Sequence, residues 1–402
     1  MKILLSAYAC EPNKGSEPGV GWSWANELAK YHDVWVITKD NNEQTISKYL
    51  EVHPESKNPR IHFIYVGLSS KLTFWKKGRR GIRLFYMLWQ YKAARVADKW
   101  NKTIHFDLIQ HVTFVSYTQP TYMYKLNIPM IWGPVSGGEN IPDSIHIKMS
   151  VKEKAIEKIR KISQTIALID PSIRKTMKCA KYILVATNET RQRIPAKYLD
   201  KTIVVPAIGL EKIPHIKEKK KNDSNIRIIM AGRLIYWKAF DIGLRAFLSI
   251  ANKFPEAKLY ILGEGEKKEL LKEIAGEYIN KQVFFVDPIE HDKIFDYYSQ
   301  FDIFLNTTLR DSGCMTMMEA MSVGIPCIGI ASGGPQELLK DCKETLIYPQ
   351  GYDECIQAIS RRLEDLIEDT KMRYELGKLQ REIAENSFVM NKKINTIKNL
   401  YF

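Results

Sequence analysis

Long hydrophobic runs are missing from this 402-residue sequence. No apolar stretch reaches the roughly 20 residues that a membrane-spanning helix needs. The apolar stretch at residues 3–9 is also too short to be a signal sequence, because Glu11 and Lys14 follow it closely. These absences favour a cytoplasmic protein whose N-terminal residues form a buried strand.

Cysteines and metal-binding motifs are scarce as well. The chain has no Cys-x-x-Cys, no Asp-x-Asp and no Gly-x-Gly-x-x-Gly, so the usual ligands of a zinc ion, of a carboxylate-held metal and of a dinucleotide are missing. The six cysteines are scattered: Cys10, Cys179, Cys314, Cys327, Cys342 and Cys355. We expect reduced structural thiols, no metal and no cofactor.

Acidic side chains are few in the first half of the chain. Residues 1–205 hold 32 Lys and Arg against 17 Asp and Glu, a net charge of +15, whereas residues 206–402 hold 28 against 29. A one-sided basic surface attracts anionic partners, such as membrane headgroups, nucleic acid or an acidic substrate. The charge alone does not distinguish among these partners.

Basic and aromatic side chains are interleaved between Lys71 and Trp100, and Asp98 is the only acidic residue there. One interpretation is a helix in the headgroup region of an anionic membrane. The other is a helix whose apolar side packs on a sheet beneath a solvated basic face, which the helical spacing favours from Arg83 onward. The stretch from Lys71 to Arg80 has no clear period and is the better candidate for membrane contact.

Two series of apolar stretches alternate with helical stretches. Such runs, buried on both faces, are typical of parallel sheets in doubly wound α/β domains. The first series is at residues 2–8, 33–38, 61–66, 107–112, 129–135, 182–187 and 202–207. The second series is at residues 226–232, 258–263, 283–287, 303–308, 327–331 and 345–348.

The sequence therefore predicts two Rossmann-like domains, at residues 1–210 and 226–380. The lysine-rich, aperiodic residues 211–225 are interpreted as a linker. Residues 381–402 are interpreted as a final helix that returns to the first domain. Ligands bind at the carboxyl ends of the strands in such sheets, so we expect the site in a cleft that the two domains face.

The most informative stretch runs from the strand at residues 303–305 through a small-residue loop into a helix. Asp311, Ser312 and Gly313 have cap and turn chemistry. Residues 315–321 favour a helix, and Gly324 and Pro326 end it. Free backbone N–H groups at such a helix N-terminus favour an anion such as phosphate. The candidate binding residues are Ser312, Gly313, Cys314, Met315 and Thr316.

Asp311 and Glu319 stand eight positions apart across this loop and helix and are followed by Ala-Met-Ser-Val-Gly-Ile-Pro. The pattern resembles the donor site of the retaining GT-B glycosyltransferases of family 4 (glycosyl transferases group 1), in which Glu, seven residues and a second Glu precede Ala-Met-x-x-Gly-x-Pro. Asp311 stands where the family has its first Glu. The resemblance implies that Glu319 binds the ribose hydroxyls of the donor and that Asp311 holds the donor sugar.

A second resemblance lies in Gly232-Arg233-Leu234 and Lys238, which follow the first strand of the second domain. In the family, Gly-Arg-Leu followed by Lys-Gly forms the diphosphate clamp, and Ala239 here replaces that last Gly. A guanidinium fork and a flexible ammonium suit the two phosphates. We therefore expect Arg233 and Lys238 to bind the donor diphosphate, with Lys238 also acting in catalysis.

Two features of the first domain gain weight only from the resemblance. The family often has a histidine after an Asp-aliphatic strand that hydrogen-bonds the transferred sugar, and His111 occupies this position. The glycine-rich loop at Gly15 and Ser16 corresponds to a family loop that approaches donor and acceptor. Without the resemblance, His111 would be interpreted as a structural histidine. The loop could then equally be an ordinary crossover or part of a site.

The expected function is retaining, metal-independent glycosyl transfer from a UDP- or GDP-sugar to a glycan or lipid-linked acceptor, of the kind found in bacterial surface-polysaccharide assembly. Peripheral contact with an anionic membrane would use the basic first domain, on the inner face of the membrane. Two alternatives stay open: a nucleotide-binding protein that has lost catalysis, and a membrane-surface or nucleic-acid binding protein. Nucleic acid is not the expected partner, since neither that alternative nor membrane binding explains both motifs of the second domain.

Overall fold

The computed structural model describes residues 1–14, 16–69, 74–75, 78, 81–114, 116–215 and 225–401. Among the candidate residues, Gly15 lies outside this set. So do most of the basic stretch from Lys71 to Arg80 and most of the expected linker. Residues 146–148 and Ser16 are described by their backbone only.

The first half of the chain alternates strands and helices as the apolar pattern predicts. The strands are β1 (Lys2–Ala7), β2 (Asp33–Lys39), β3 (Ile61–Val66), β4 (Leu108–Val112), β5 (Met130–Val135), β6 (Ala180–Val185) and β7 (Thr202–Val204). The helices are α1 (Ser16–Ala29), α2 (Asn42–Val52), α3 (Ile82–Ile104), α4 (Val151–Ala167), α5 (Pro171–Cys179) and α6 (Asn188–Arg191).

The second half repeats the alternation. Its strands are β8 (Arg227–Ala231), β9 (Lys258–Leu262), β10 (Val283–Val286), β11 (Ile303–Asn306), β12 (Cys327–Ile330) and β13 (Leu346–Ile347). Its helices are α7 (Phe240–Ile250), α8 (Lys268–Ala275), α9 (Ile294–Tyr298), α10 (Met315–Ser322), α11 (Gly333–Leu338), α12 (Tyr352–Glu368), α13 (Thr370–Ile383) and α14 (Met390–Ile397).

These strands form two parallel sheets. The first has the order β3-β2-β1-β4-β5-β6-β7 and the second has the order β10-β9-β8-β11-β12-β13. The central strands are almost entirely buried, as apolar runs covered by helices on both faces must be. The predicted fold class of two doubly wound, Rossmann-like domains is confirmed.

The chain forms two compact units that differ from the predicted domains at residues 139–160 and at the start of the returning C-terminal segment, which is residue 390 and not residue 381. The first unit comprises residues 1–138, 161–208 and 390–402, and the second comprises residues 139–160 and 209–389. Residues 139–160 join the second unit because Ile141 and Ile145 are buried in its hydrophobic core. Residues 390–402 join the first unit, where Lys393 donates to the carbonyl of Ala207 (3.2 Å) and Tyr401 donates to the Gln110 side chain (3.1 Å).

Helix α3 shows which interpretation of the basic, aromatic segment holds from Arg83 onward. Tyr86 and Trp89 are buried, and the Trp89 indole donates to the carbonyl of Val66 (2.7 Å). Arg83, Lys92 and Arg95 are exposed on the opposite side. This is the core-packed helix with a solvated basic face.

Among the described residues, no helix is both long enough and apolar enough to cross a bilayer. All six cysteines are free thiols, and only Cys179 is exposed. The described part of the chain also contains no cluster of three or more His, Cys, Asp or Glu side chains that could hold a metal ion.

Candidate functional site

The candidate site of the second unit lies where the strand order of its sheet reverses. Strands β8 and β11 are neighbours, and the chain builds the sheet outward from them on both sides. The loops that leave two such strands cannot cover each other, so a crevice opens at their carboxyl ends. The loop after β8 carries Arg233 and Lys238, and the loop after β11 carries Asp311.

Lys238 and Asp311 form an ion pair in this crevice. The Lys238 ammonium donates to Oδ2 of Asp311, and the backbone N–H groups of Gly313 (2.9 Å) and Cys314 (3.2 Å) donate to Oδ1. Both carboxylate oxygens are therefore engaged within the protein. Asp311 joins the two loops and fixes the turn that starts α10.

The charges of this pair reinforce each other. Burial opposes charge on both groups, but the nearby Lys238 ammonium and the N–H donors lower the pKa of Asp311. In the same way, burial opposes protonation of Lys238, but the Asp311 carboxylate raises its pKa. Both groups are thus charged at neutral pH, and the exposed Arg233 adds a second cation close enough to oppose the Lys238 charge.

Helix α10 begins directly after this turn, where the sequence predicts a helix, but its N-cap is Cys314 and not one of the predicted cap residues, and Cys314 makes no side-chain capping hydrogen bond. Cys314 has left-handed backbone angles, and its carbonyl accepts from the N–H groups of Met317 (3.0 Å) and Met318 (3.1 Å). The first N–H groups of an α-helix have no intrahelical acceptor and favour negative charge. Ser312, Met315 and Thr316 are partly exposed, whereas Gly313 and Cys314 are buried.

Glu319 lies in the second turn of α10 and is only 4% exposed. Burial raises the pKa of its carboxyl to about 8, so the neutral form predominates at pH 7. The Nδ1 atom of His291 is 3.7 Å from the carboxyl, too far for a good hydrogen bond. A buried carboxyl that lacks a hydrogen-bond partner among the described residues suits a ligand with hydroxyl groups.

The loop after β8 is shaped by a close backbone approach that only glycine allows. The N–H of Leu234 donates to the carbonyl of Glu264 (2.8 Å), and the N–H of Lys267 donates to the carbonyl of Leu234 (2.9 Å). A Cβ atom on Gly263 would lie 2.0 Å from the carbonyl oxygen of Gly232, and one on Gly265 would lie 2.3 Å from that of Leu234. The Gly-Glu-Gly sequence therefore holds the loop that carries Arg233.

Sequence reasoning missed the polar cluster of Arg310, Glu157 and Tyr236, in which Arg310 directly precedes Asp311 in the chain. Arg310 donates to the buried carboxylate of Glu157, and the Tyr236 hydroxyl donates to the same oxygen (2.7 Å). The Arg310 guanidinium also lies 4.7 Å from the ring centre of Trp237. Arg310 and Glu157 are 153 positions apart, and no local pattern could have paired them.

In the first unit, His111 lies in β4 next to β1, where the strand order of the first sheet reverses. Its Nδ1 is 2.9 Å from the Ser6 hydroxyl and its Nε2 is 3.2 Å from the Tyr86 hydroxyl. Burial lowers the pKa of His111 to about 3, so the ring is neutral. Both ring nitrogens are thus engaged, and the role of His111 in holding a sugar stays a prediction.

An open cavity of about 210 Å³ lies near the start of α1, which begins at Ser16. Glu17 and Arg83 contribute to its lining, and the Glu17 carboxylate accepts from the N–H of Phe114 (2.6 Å). Ser116 and Gln119 add hydroxyl and amide groups. The cavity suits a polar ligand. Glu17 could have been identified from the sequence, because it directly follows Gly15 and Ser16 of the glycine-rich loop.

The structure thus brings together the predicted residues of the second unit: Arg233, Lys238, Asp311, Ser312, Gly313, Cys314, Met315, Thr316 and Glu319 all lie on the two loops or on α10. Ser16 and His111 belong to the first unit, and Gly15 lies outside the described residues. The roles assigned to all of these residues remain predictions.

Comparison with known proteins finds a family similarity within the second unit. Residues 211–383 match the family model "Glycosyl transferases group 1". An uncharacterized glycosyltransferase of Methanocaldococcus jannaschii is 24% identical over 233 residues, which are 56% of this chain and 59% of that protein. The chain therefore spans less than two thirds of this curated relative.

Solved structures extend the similarity to the whole chain at the level of the fold. The lipopolysaccharide outer core galactosyltransferase WaaB superposes with a TM-score of 0.66 at 17% identity, covering 100% of both chains. The Anabaena protein HepE, in complex with UDP and glucose, superposes with a TM-score of 0.59 at 15% identity, covering 100% of this chain and 99% of that chain. Residues 211–383 are therefore similar to glycosyl transferases group 1 domains, and the whole chain has the GT-B fold of these solved structures.

Proposed function

We propose that the protein is a glycosyltransferase that moves a sugar from a nucleotide-diphosphate sugar to a hydroxyl group of a glycan or lipid-linked acceptor. The observation that carries the proposal is the convergence of Lys238, Asp311, Arg233 and the α10 N-terminus within the group 1 domain. These groups supply positive charge and N–H donors around one crevice. A diphosphate leaving group requires this combination.

The chemistry proposed for the crevice uses protein groups only. Negative charge develops on the diphosphate as the bond to the sugar breaks, and Lys238 and Arg233 stabilise it together with the N–H groups at the start of α10. Asp311 keeps Lys238 charged and in place. Glu319 binds the ribose hydroxyls, and the departing diphosphate helps to deprotonate the acceptor, so that the anomeric configuration is retained.

The donor and acceptor classes of this proposal are supported by the structural neighbours. The Anabaena complex contains UDP and glucose, which favours a UDP-sugar, with a GDP-sugar as the second choice. The lipopolysaccharide galactosyltransferase favours a lipid-linked surface glycan as the acceptor class. Within the first unit, the cavity at Glu17 and Arg83 is the proposed contact for acceptor hydroxyl groups.

The test is a panel of UDP-, GDP- and ADP-sugars, first by thermal shift and then by release of the nucleotide diphosphate. We expect stabilisation by one nucleotide family, unchanged by a chelator, and turnover that Glu319→Ala abolishes. Glu375→Ala, which changes an exposed carboxylate on α13, serves as the matched control. Near-normal turnover by Glu319→Ala, or dependence on a divalent cation, would contradict the proposal.

A second candidate function is binding of a nucleotide sugar without transfer. It is favoured by one observation: both oxygens of Asp311 are engaged by Lys238 and by backbone N–H groups. Stabilisation by a nucleotide sugar, with neither hydrolysis nor transfer to any acceptor offered, would establish this alternative.

A further inference from the structure

Helix α4 exposes an apolar face. Its isoleucines recur at three- and four-residue spacing, so they lie on one side of the helix. The exposed residues are Val151, Ile156, Ile159, Ile162 and Ile166, followed by Ile169 just after the helix, and their exposed fractions run from 42% to 86%. Scattered exposed aliphatic residues are normal, but a continuous stripe of this kind marks a surface for interaction.

The buried side of α4 is polar, which is the reverse of an ordinary surface helix. Glu157 is 1% exposed and accepts from Arg310 and Tyr236. Glu153 pairs with Lys267, and Arg160 donates to the carbonyl of Glu139 (2.7 Å). Because these contacts hold the polar side inward, the apolar side must face outward.

The charged residues of α4 are divided between the same two sides. Its two acidic residues, Glu153 and Glu157, are on the buried side and are paired with cations. Lys152, Lys154 and Lys158 are exposed, and none of them forms an ion pair with a carboxylate in the described part of the chain. The outward surface of α4 therefore combines aliphatic side chains with uncompensated positive charge.

We propose that α4 docks in the plane of an anionic lipid surface, with its isoleucines among the upper acyl chains and its lysines at the headgroup phosphates. An amphipathic helix of this composition gains from apolar burial and from attraction to negative lipids together. Packing against a second copy of the same face would instead bring like charges together. The inference rests on α4 alone and holds whether or not the protein transfers a sugar.

The experiment is flotation of the full chain with vesicles of phosphatidylcholine, with and without phosphatidylglycerol. We expect binding to the anionic vesicles, weaker binding to the neutral ones, and release by salt. Glutamine keeps helix propensity, so the main variant is Ile159→Gln/Ile162→Gln/Ile166→Gln. It should lower the partition coefficient about 100-fold, because three aliphatic side chains no longer enter the bilayer.

A second variant, Lys152→Gln/Lys154→Gln/Lys158→Gln, tests the charge. It should lower binding to anionic vesicles about 100-fold, at roughly 1 kcal/mol for each lysine, and leave binding to neutral vesicles unchanged. The matched control is Val52→Gln/Leu270→Gln/Leu379→Gln, which changes three exposed aliphatic residues on α2, α8 and α13 and should bind as the parent does. Thermal unfolding of each variant verifies that it is folded.

Three outcomes would overturn the proposal. The first is equal binding to neutral and anionic vesicles, or no binding to either. The second is parental binding by the isoleucine variant, or loss of binding only on changing Leu84, Leu88 and Tyr91, the exposed apolar residues of α3. The third is a parental dimer, measured by light scattering, that the isoleucine variant converts to a monomer.

Discussion

The strand order reverses in the same way in the two sheets, at β1 and β4 in the first and at β8 and β11 in the second. The side chains at these two reversals have opposite character. At β1 and β4, the neutral ring of His111 is hydrogen-bonded by Ser6 and Tyr86. At β8 and β11, Lys238 and Asp311 are charged, and the Glu319 carboxyl is buried without a good hydrogen-bond partner among the described residues. One reversal is internally satisfied, whereas the other retains charge and unused hydrogen-bonding capacity.

The comparison shows that topology provides a position and that side chains provide the chemistry. Polar groups that satisfy one another stabilise a unit but have little left to offer a ligand. Charged groups at a crevice are retained at a cost in stability, which is a common property of functional sites. The second reversal is therefore the better candidate for donor binding, and the following changes test the contrast.

The largest expected effect is on catalysis at the second reversal. Lys238→Met keeps the aliphatic stem but removes the ammonium, so the diphosphate of the proposed donor would lose the cation that pairs with Asp311. We expect turnover to fall about 10²–10³-fold, the usual cost of one preorganised donor. The measurement is release of the nucleotide diphosphate at saturating donor.

The control for this prediction is Lys253→Met. Lys253 is also paired with carboxylates, Glu364 and Glu368, but it is exposed and remote from the crevice loops in sequence. Its replacement should leave turnover unchanged. Equal losses in the two variants would show that Lys238 acts only through stability.

The second prediction concerns the protonation of Glu319. Its pKa is raised from the usual 4.5 to about 8, so the folded state holds a proton that the unfolded state releases between these values. Stability should therefore fall as pH rises from about 4.5 to 8, by roughly 4 kcal/mol in total. Glu319→Gln should remove this fall, and unfolding midpoints at pH 5 and pH 8 measure it.

The contribution of His111 to the pH dependence of stability should have the opposite sign. Its pKa is lowered from the usual 6.5 to about 3, so between these pH values the unfolded state binds a proton and the folded state does not. This group therefore makes stability rise with pH between about 3 and 6.5, by roughly 2 kcal/mol from pH 5 to pH 6.5. His111→Gln should flatten the rise, whereas His32→Gln, which changes another histidine of the first unit, should retain most of it. An unchanged slope in His111→Gln would mean that folding does not lower the pKa of His111.

The sequence was sufficient to predict the strands and the two loops at the crevice of the second unit, because both depend on local patterns. Apolar runs identify strands that are buried on both faces, and the crevice residues Arg233 to Lys238 and Asp311 to Glu319 are short stretches with their own turn and helix chemistry. The contrast between the two reversals could not be predicted. It depends on Tyr86 meeting His111 and on Lys238 meeting Asp311, contacts between segments that are distant in sequence.

The dependence on contacts between distant segments also explains why the sequence did not predict that residues 139–160 belong to the second unit. Their composition resembles an amphipathic helix of the first domain, and no local feature shows that Glu157 will find Arg310. Tertiary packing brings these two residues into contact although they are 153 positions apart in the sequence. The exposed isoleucines of α4 are the other consequence, since the polar side of the helix is held inward by those contacts.

The smallest expected effect concerns the residue after Lys238. Ala239 has φ 46° and ψ 42°, the left-handed conformation that strains a side chain, and glycine stands there in the family that the motif resembles. Ala239→Gly should relieve that strain but lose a buried methyl group, for a net gain of about 0.5 kcal/mol and a rise in the unfolding midpoint of roughly 1–2 °C. The matched change Ala358→Gly, in the interior of α12, should instead destabilise the protein by about 1 kcal/mol. Equal destabilisation by both glycines would show that the left-handed turn carries no strain, and that the charged reversal is built at no local cost.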